Sequence, residues 1–235
     1  MLSRIFFVFV FTCNLLLAET STSSHFEENL KIDALKQKIA VIEDSIKDNL
    51  WYKRYDNYLT YQRLLEELGS VDSEIKKLKN AKDKLSLEKY EKLLSKQESL
   101  EKQIMLLQEF KNSPFSKLTD PITLEAYPKV SNPIAIISAL SYIKQIKQES
   151  TDYKLRIDRL ELLIKKLDEK LKLLEDIYAI DPKSISDGAI LEAQKELNAF
   201  ISAQEVANTS YSLHVKKVEE ASIRVTQDIT LQVKH

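Results

Sequence analysis

From Ile136 to Tyr178, apolar residues recur at alternating steps of three and four for six heptads. One line runs Ile136, Ile143, Ser150, Ile157, Ile164, Leu171 and Tyr178. The other runs Ala139, Ile146, Tyr153, Leu160, Leu167 and Leu174, and Ser150 alone is clearly polar. A repeat of about 3.5 residues keeps one seam on one side of a long helix and requires another helix to cover it. The pattern therefore predicts a coiled-coil seam over these positions.

Three further stretches read the same way. An arm over about 24–68 carries Ile32, Leu35, Ile39, Ile42 and Ile46, and one over 70–111 carries Val71, Ile75, Leu78, Leu85, Leu93, Leu100, Ile104 and Leu107. An arm from Ser186–Asp187 onward carries Leu197, Ile201, Tyr211, Val215, Val218, Val225 and Ile229, with Gln204, Asn208 and Ser222 as polar seam positions. Polar seam residues cost stability and can set register or partner number.

The two glycines, Gly69 and Gly188, fall where periodicity stops, as helix terminators do. Four of the five prolines (Pro114, Pro121, Pro128, Pro133) crowd one stretch, and Pro182 marks a turn. With so little glycine, a strand-rich fold with tight turns is excluded. The expectation is an all-α fold: long antiparallel helical hairpins forming a coiled-coil bundle of four long helices. The first hairpin would span 19–111 and the second 134–235. Between them, 112–133 would be a Pro-rich but ordered connection, because Phe115, Leu118, Ile122, Leu124, Tyr127 and Val130 make it too apolar for a solvated linker.

The start of the chain adds a compartment. Met1-Leu2-Ser3-Arg4 precedes an apolar run of fourteen, Ile5 to Ala18. A membrane span needs about twenty apolar residues and a secretory signal about 7–15. Residues 1–18 thus read as a signal peptide cut after Ala18, with an uncleaved anchor or lipidation at Cys13 as alternatives. The 217 residues that would remain contain no cysteine, so no disulfide holds the fold. An export signal without disulfides suits a bacterial periplasm. The formal charge of −1 becomes −2 once Arg4 is lost, and both signs are interspersed without a basic stripe, which excludes nucleic acid as a partner.

The aromatic run Trp51, Tyr52, Tyr55, Tyr58 and Tyr61 admits two readings. It presents a partner face, since aromatics with polar tips stack on sugars, headgroups or proteins. Alternatively, it widens the packing where heptad order lapses after Ile46. Asn208-Thr209-Ser210 matches a glycosylation pattern, but on a helix seam it reads as a chance match. His25, His214 and His235 are isolated, and no metal-ligand spacing or Gly-rich phosphate loop occurs. Carboxylates alternate with lysines as solvated pairs. No enzyme and no cofactor is expected.

The exported start, the segment Asp48-Asn49-Leu50-Trp51-Tyr52-Lys53-Arg54-Tyr55 and the segment Ser131-Asn132-Pro133-Ile134-Ala135-Ile136-Ile137-Ser138-Ala139-Leu140 together carry a resemblance. The chain resembles the N-terminal periplasmic region of MscS-type mechanosensitive channels from Campylobacter-like bacteria. That resemblance implies a helical extracytoplasmic sensor or scaffold ahead of membrane helices and a pore. No apolar run of eighteen or more occurs, so no pore residue carries over. The helical pattern reaches His235 without a terminator, so a longer protein cut before its membrane part is expected. Partners would be proteins or further copies through the helices, with the inner membrane or a downstream membrane domain beside them. The competing reading is a free periplasmic coiled-coil adaptor, for example one that recruits or activates a cell-wall hydrolase. An efflux-type adaptor would need Gly-containing β-rich domains, which are missing.

Overall fold

The computed structural model describes residues 25–79, 83–119 and 132–233. The expected signal peptide and positions 120–131 of the connection lie outside the described residues. Among the described residues every regular element is helical and there is no strand, so the fold is all-α. In chain order these are α1 (25–46), α2 (Leu50–Leu78), α3 (Lys84–Leu106), a 3-10 turn at Gln108–Phe110, α4 (Ser116–Thr119), α5 (Pro133–Ile180), a 3-10 turn at Pro182–Ser184 and α6 (Ala189–Val233). They form two compact units, and the division falls inside α5 and α6.

The first unit combines α1 with Ile164–Ala199. The predicted α1 seam is its core stripe: Ile32, Ile39, Ile42 and Ile46 are buried, and Leu35 is half-buried. They join Leu167, Leu171, Leu174 and Ile177 of α5 and Ala193 and Leu197 of α6. Within this unit α5 has two neighbours. The Lys170 ammonium lies 2.9 Å from Glu43 of α1 and 3.8 Å from Glu196 of α6, and Lys166 Nζ donates to Ser45 Oγ at 2.9 Å. Two neighbours widen the buried face of a helix beyond a two-line seam. Leu173 and Ile177 enter it, whereas Ile164 is only half-buried. Tyr178, expected in the seam, is 52% exposed, and the fully buried Ile177 takes its place.

The α5–α6 turn is built locally. Asp181 accepts from the Lys183 amide at 3.0 Å and the Ser184 hydroxyl at 2.7 Å. Pro182 opens the 3-10 turn, and Gly188 reverses the chain at φ +88°, a left-handed value that suits glycine.

The second unit contains α2, α3, α4, the first part of α5 to Leu163 and α6 from Phe200. α2 and α3 form an antiparallel hairpin stitched by Gln97 Nε2 to Asp72 Oδ1 at 2.8 Å and by ion pairs Lys96–Glu67 (2.6 Å) and Lys89–Glu74 (3.1 Å). The boundaries here differ from expectation. Helical structure stops at Ile46, and Asn49 restarts it by accepting the Trp51 and Tyr52 amides at 2.9 and 3.3 Å, a side-chain N-cap. Gly69 is no turn: α2 runs through it to Leu78, and α3 restarts at the Asp83 cap, which accepts the Ser86 amide at 2.9 Å. The hairpin expected over 19–111 is thus made by α2 and α3, while α1 packs with Ile164–Ala199.

Of the apolar connection, the described part is packed: Leu118 is fully buried, Pro114 is buried and Phe115 is half-buried. The predicted start of α5 is present, with Pro133 first in the helix and Asn132 Oδ1 accepting the Ala135 amide at 2.9 Å.

Candidate functional site in the paired helices

Within the second unit, α5 and α6 present matching lines. On α5 the predicted positions Ala139, Ile146, Tyr153, Ile157 and Leu160 are buried, while Ile136 and Ile143 are half-buried. Ala139 meets Val225, with Ile136, Ile143 and Ile229 packed around them. Tyr153 meets Tyr211 edge-on, with ring centroids 5.9 Å apart. These two contacts fix an antiparallel register: each step back along α5 is matched by one step forward along α6.

On α6 one predicted line holds and the other moves. Leu197, Val218 and Val225 are buried. The second line falls one residue earlier than expected, at Phe200, Ala207 and His214 in place of Ile201, Asn208 and Val215. Phe200, fully buried, decides this locally. Its ring lies 5.1 Å from Tyr55, 5.2 Å from Phe115 and 6.5 Å from Tyr52.

The aromatic run is therefore largely core. Trp51, Tyr55 and Tyr61 are buried, and Tyr52 and Tyr58 are half-buried. Tyr55 also stacks on Phe115 at 6.1 Å. The partner-face reading of Trp51, Tyr52, Tyr55, Tyr58 and Tyr61 gives way to the packing reading. Phe115 and Phe200 cover Tyr55, Phe200 also stacks on Tyr52, and Trp51 and Tyr61 are themselves buried.

Arg54 sits in the same turn of α2 and is buried, with Nε donating to the Pro114 carbonyl at 2.9 Å. Its guanidinium carbon lies 4.9 Å from the centre of the Phe110 ring, and Nη1 is 3.5 Å from Glu109. A planar guanidinium satisfies a carbonyl, an aromatic face and a carboxylate together. This clamp holds the segment after α3 against α2.

No known protein family, characterised protein or solved structure matches the chain. The chemistry must be read from the side chains themselves. Among the described residues, no group of three or more His, Cys, Asp or Glu side chains is placed to hold a metal ion. A groove of about 240 Å³, lined by Tyr61, Leu68, Glu101, Ile104, Met105, Gln108 and Lys111, brings one carboxylate and one ammonium near a tyrosine. It holds no cysteine, histidine or serine to serve as nucleophile or imidazole base.

The residue missed by heptad reading is His214. It is 5% exposed, and neither ring nitrogen has a hydrogen-bond partner among the described residues. Burial holds its pKa below the ordinary 6.5, while the Ile146 carbonyl and Glu149 on α5 pull the other way without overcoming it. Three residues back from Tyr153 and three forward from Tyr211, the register sets His214 opposite Ser150. The signal was present in the sequence: His214 stands seven residues after Ala207 and four before Val218. Outside the seam, Leu155 and Leu162 on α5 and Val206 and Leu213 on α6 are exposed, each pair spaced seven apart.

Proposed function

We propose that this chain is a non-enzymatic helical sensor or scaffold region that works in the bacterial periplasm, and that it belongs to the extracytoplasmic part of an MscS-type mechanosensitive channel. The observation that carries this is the pair of uninterrupted helices, α5 of 48 residues and α6 of 45. At about 1.5 Å per residue each is roughly 70 Å of helix. Within the second unit the two are joined along a seam, and paired helices of this kind offer little concave surface for catalysis. The channel assignment itself rests on the two resembling segments. Asn49 and Asn132, one in each, are helix caps in the structure.

Among the described residues no helix is long and apolar enough to cross a membrane, so conduction would belong to another part of such a protein. The exposed heptad-spaced pairs Leu155–Leu162 and Val206–Leu213 favour association with other helices. The adaptor alternative loses its proposed docking face, because Trp51, Tyr55 and Tyr61 are buried.

The test is the native reading frame past His235. In-frame apolar runs of about twenty residues would support the channel reading. Patch recordings of the channel with and without this region would then show whether its gating tension shifts. A stop codon directly after His235 would remove the channel reading.

A further inference from the structure

The one histidine in the described α5–α6 seam faces the one polar position that interrupts the α5 repeat. His214 stands on the buried line of α6 after Phe200 and Ala207, and the Tyr153–Tyr211 and Ala139–Val225 contacts set it opposite Ser150. An apolar pair in this layer would bury area and stabilise the helices. A buried histidine there instead keeps a titratable ring out of water, at a cost to the pairing. We propose that the His214–Ser150 layer is an acid-sensitive latch: proton uptake by the imidazole releases α5 from α6 around this layer. This goes beyond the channel reading and does not depend on it.

The surroundings set the direction. From α5, the Glu149 carboxylate and the Ile146 carbonyl face the ring and favour a cation; Glu149 is shared with Gln145 Nε2 at 3.0 Å. From α6, Lys217 opposes a cation, and burial opposes it most. Closed helices therefore hold the neutral ring, and opened helices take the proton first. Stability of the pair is complete above the ordinary histidine value of 6.5 and is lost as pH falls below it. One proton of linkage sets the limit at about tenfold in the opening equilibrium per pH unit. Opening lets the ring reach water and frees the Tyr153–Tyr211 contact on one side and Ile146 on the other.

Hydrogen exchange of the full chain, corrected for intrinsic rates and compared between about pH 7.5 and 5.5, tests the latch. The expected result is several-fold loss of protection in 146–153 and 211–218, with the α2–α3 hairpin unchanged and His214→Leu abolishing the loss. A His214→Leu chain that loses protection equally would overturn the proposal. Should that variant not fold, an NMR titration of wild-type His214 decides, with His25→Gln to assign signals. A midpoint below 6.5 supports the latch, and one at or above 6.5 rejects it.

Discussion

The Arg54 side chain reaches across sixty residues of sequence to hold the Pro114 carbonyl, its Nε donating at 2.9 Å. This single donor ties the first turns of α2 to the segment that leaves the α2–α3 hairpin. Phe110 beneath the guanidinium and Glu109 at its rim complete the clamp.

Removing the clamp strands the Pro114 carbonyl. Arg54→Ala should cost about 2–3 kcal/mol, the range for a lost charge-assisted hydrogen bond with its partner left buried. Arg54→Lys keeps the charge but loses the planar fork, and should recover less than half of that. Urea unfolding of both variants checks the order. Equal stability of Arg54→Ala and wild type would show that the clamp contributes nothing.

The two glycines should respond in opposite senses. Gly69 lies inside α2 with open space for 4 Å around the place a methyl group would take, so Gly69→Ala should stabilise by about 0.5–1 kcal/mol through helix propensity. Gly188 has φ +88°, and Gly188→Ala should destabilise by about 1–2 kcal/mol. Thermal melts of the two variants, run side by side, read the sign directly.

The α5–α6 turn should weaken in strong acid. The Ser184 hydroxyl and the Lys183 amide hold the Asp181 carboxyl below the ordinary 3.8. The cap's contribution is thus complete above that value and is lost as pH falls beneath it. Asp181→Asn keeps an acceptor without the proton, so its melting temperature should change less than that of wild type between about pH 5 and 2. An identical acid slope would assign the loss to other carboxylates.

Much of the fold was legible because buried lines repeat. Ile32, Ile39, Ile42 and Ile46 on α1, and Ala139 through Leu174 on α5, follow the period the sequence shows. What a seam does not encode is the helix that covers it, so 24–68 read as one arm covered by 70–111, when α1 packs with Ile164–Ala199. The break at Lys47-Asp48-Asn49 carries neither glycine nor proline and rests on one asparagine cap. Gly69 misled because a lone exposed glycine is tolerated within a helix. On α6, Ile201 and Val215 were the greasier choices, but the aromatic core takes Phe200, and the whole line follows it to Ala207 and His214. That single-residue shift hid the histidine.

Lys166 meets Ser45 across 121 positions of sequence, and this separation bears on how the protein is made. Synthesis delivers 25–46 long before the stretch it packs against, so the isoleucine stripe of α1 waits uncovered until Ile164–Ala199 has emerged. The α5–α6 turn is local and closes early, whereas seating α1 spans a long loop and comes late. During that wait, the same surface on a neighbouring nascent chain competes for α1. Exchange of α1 between chains is therefore the error this topology invites.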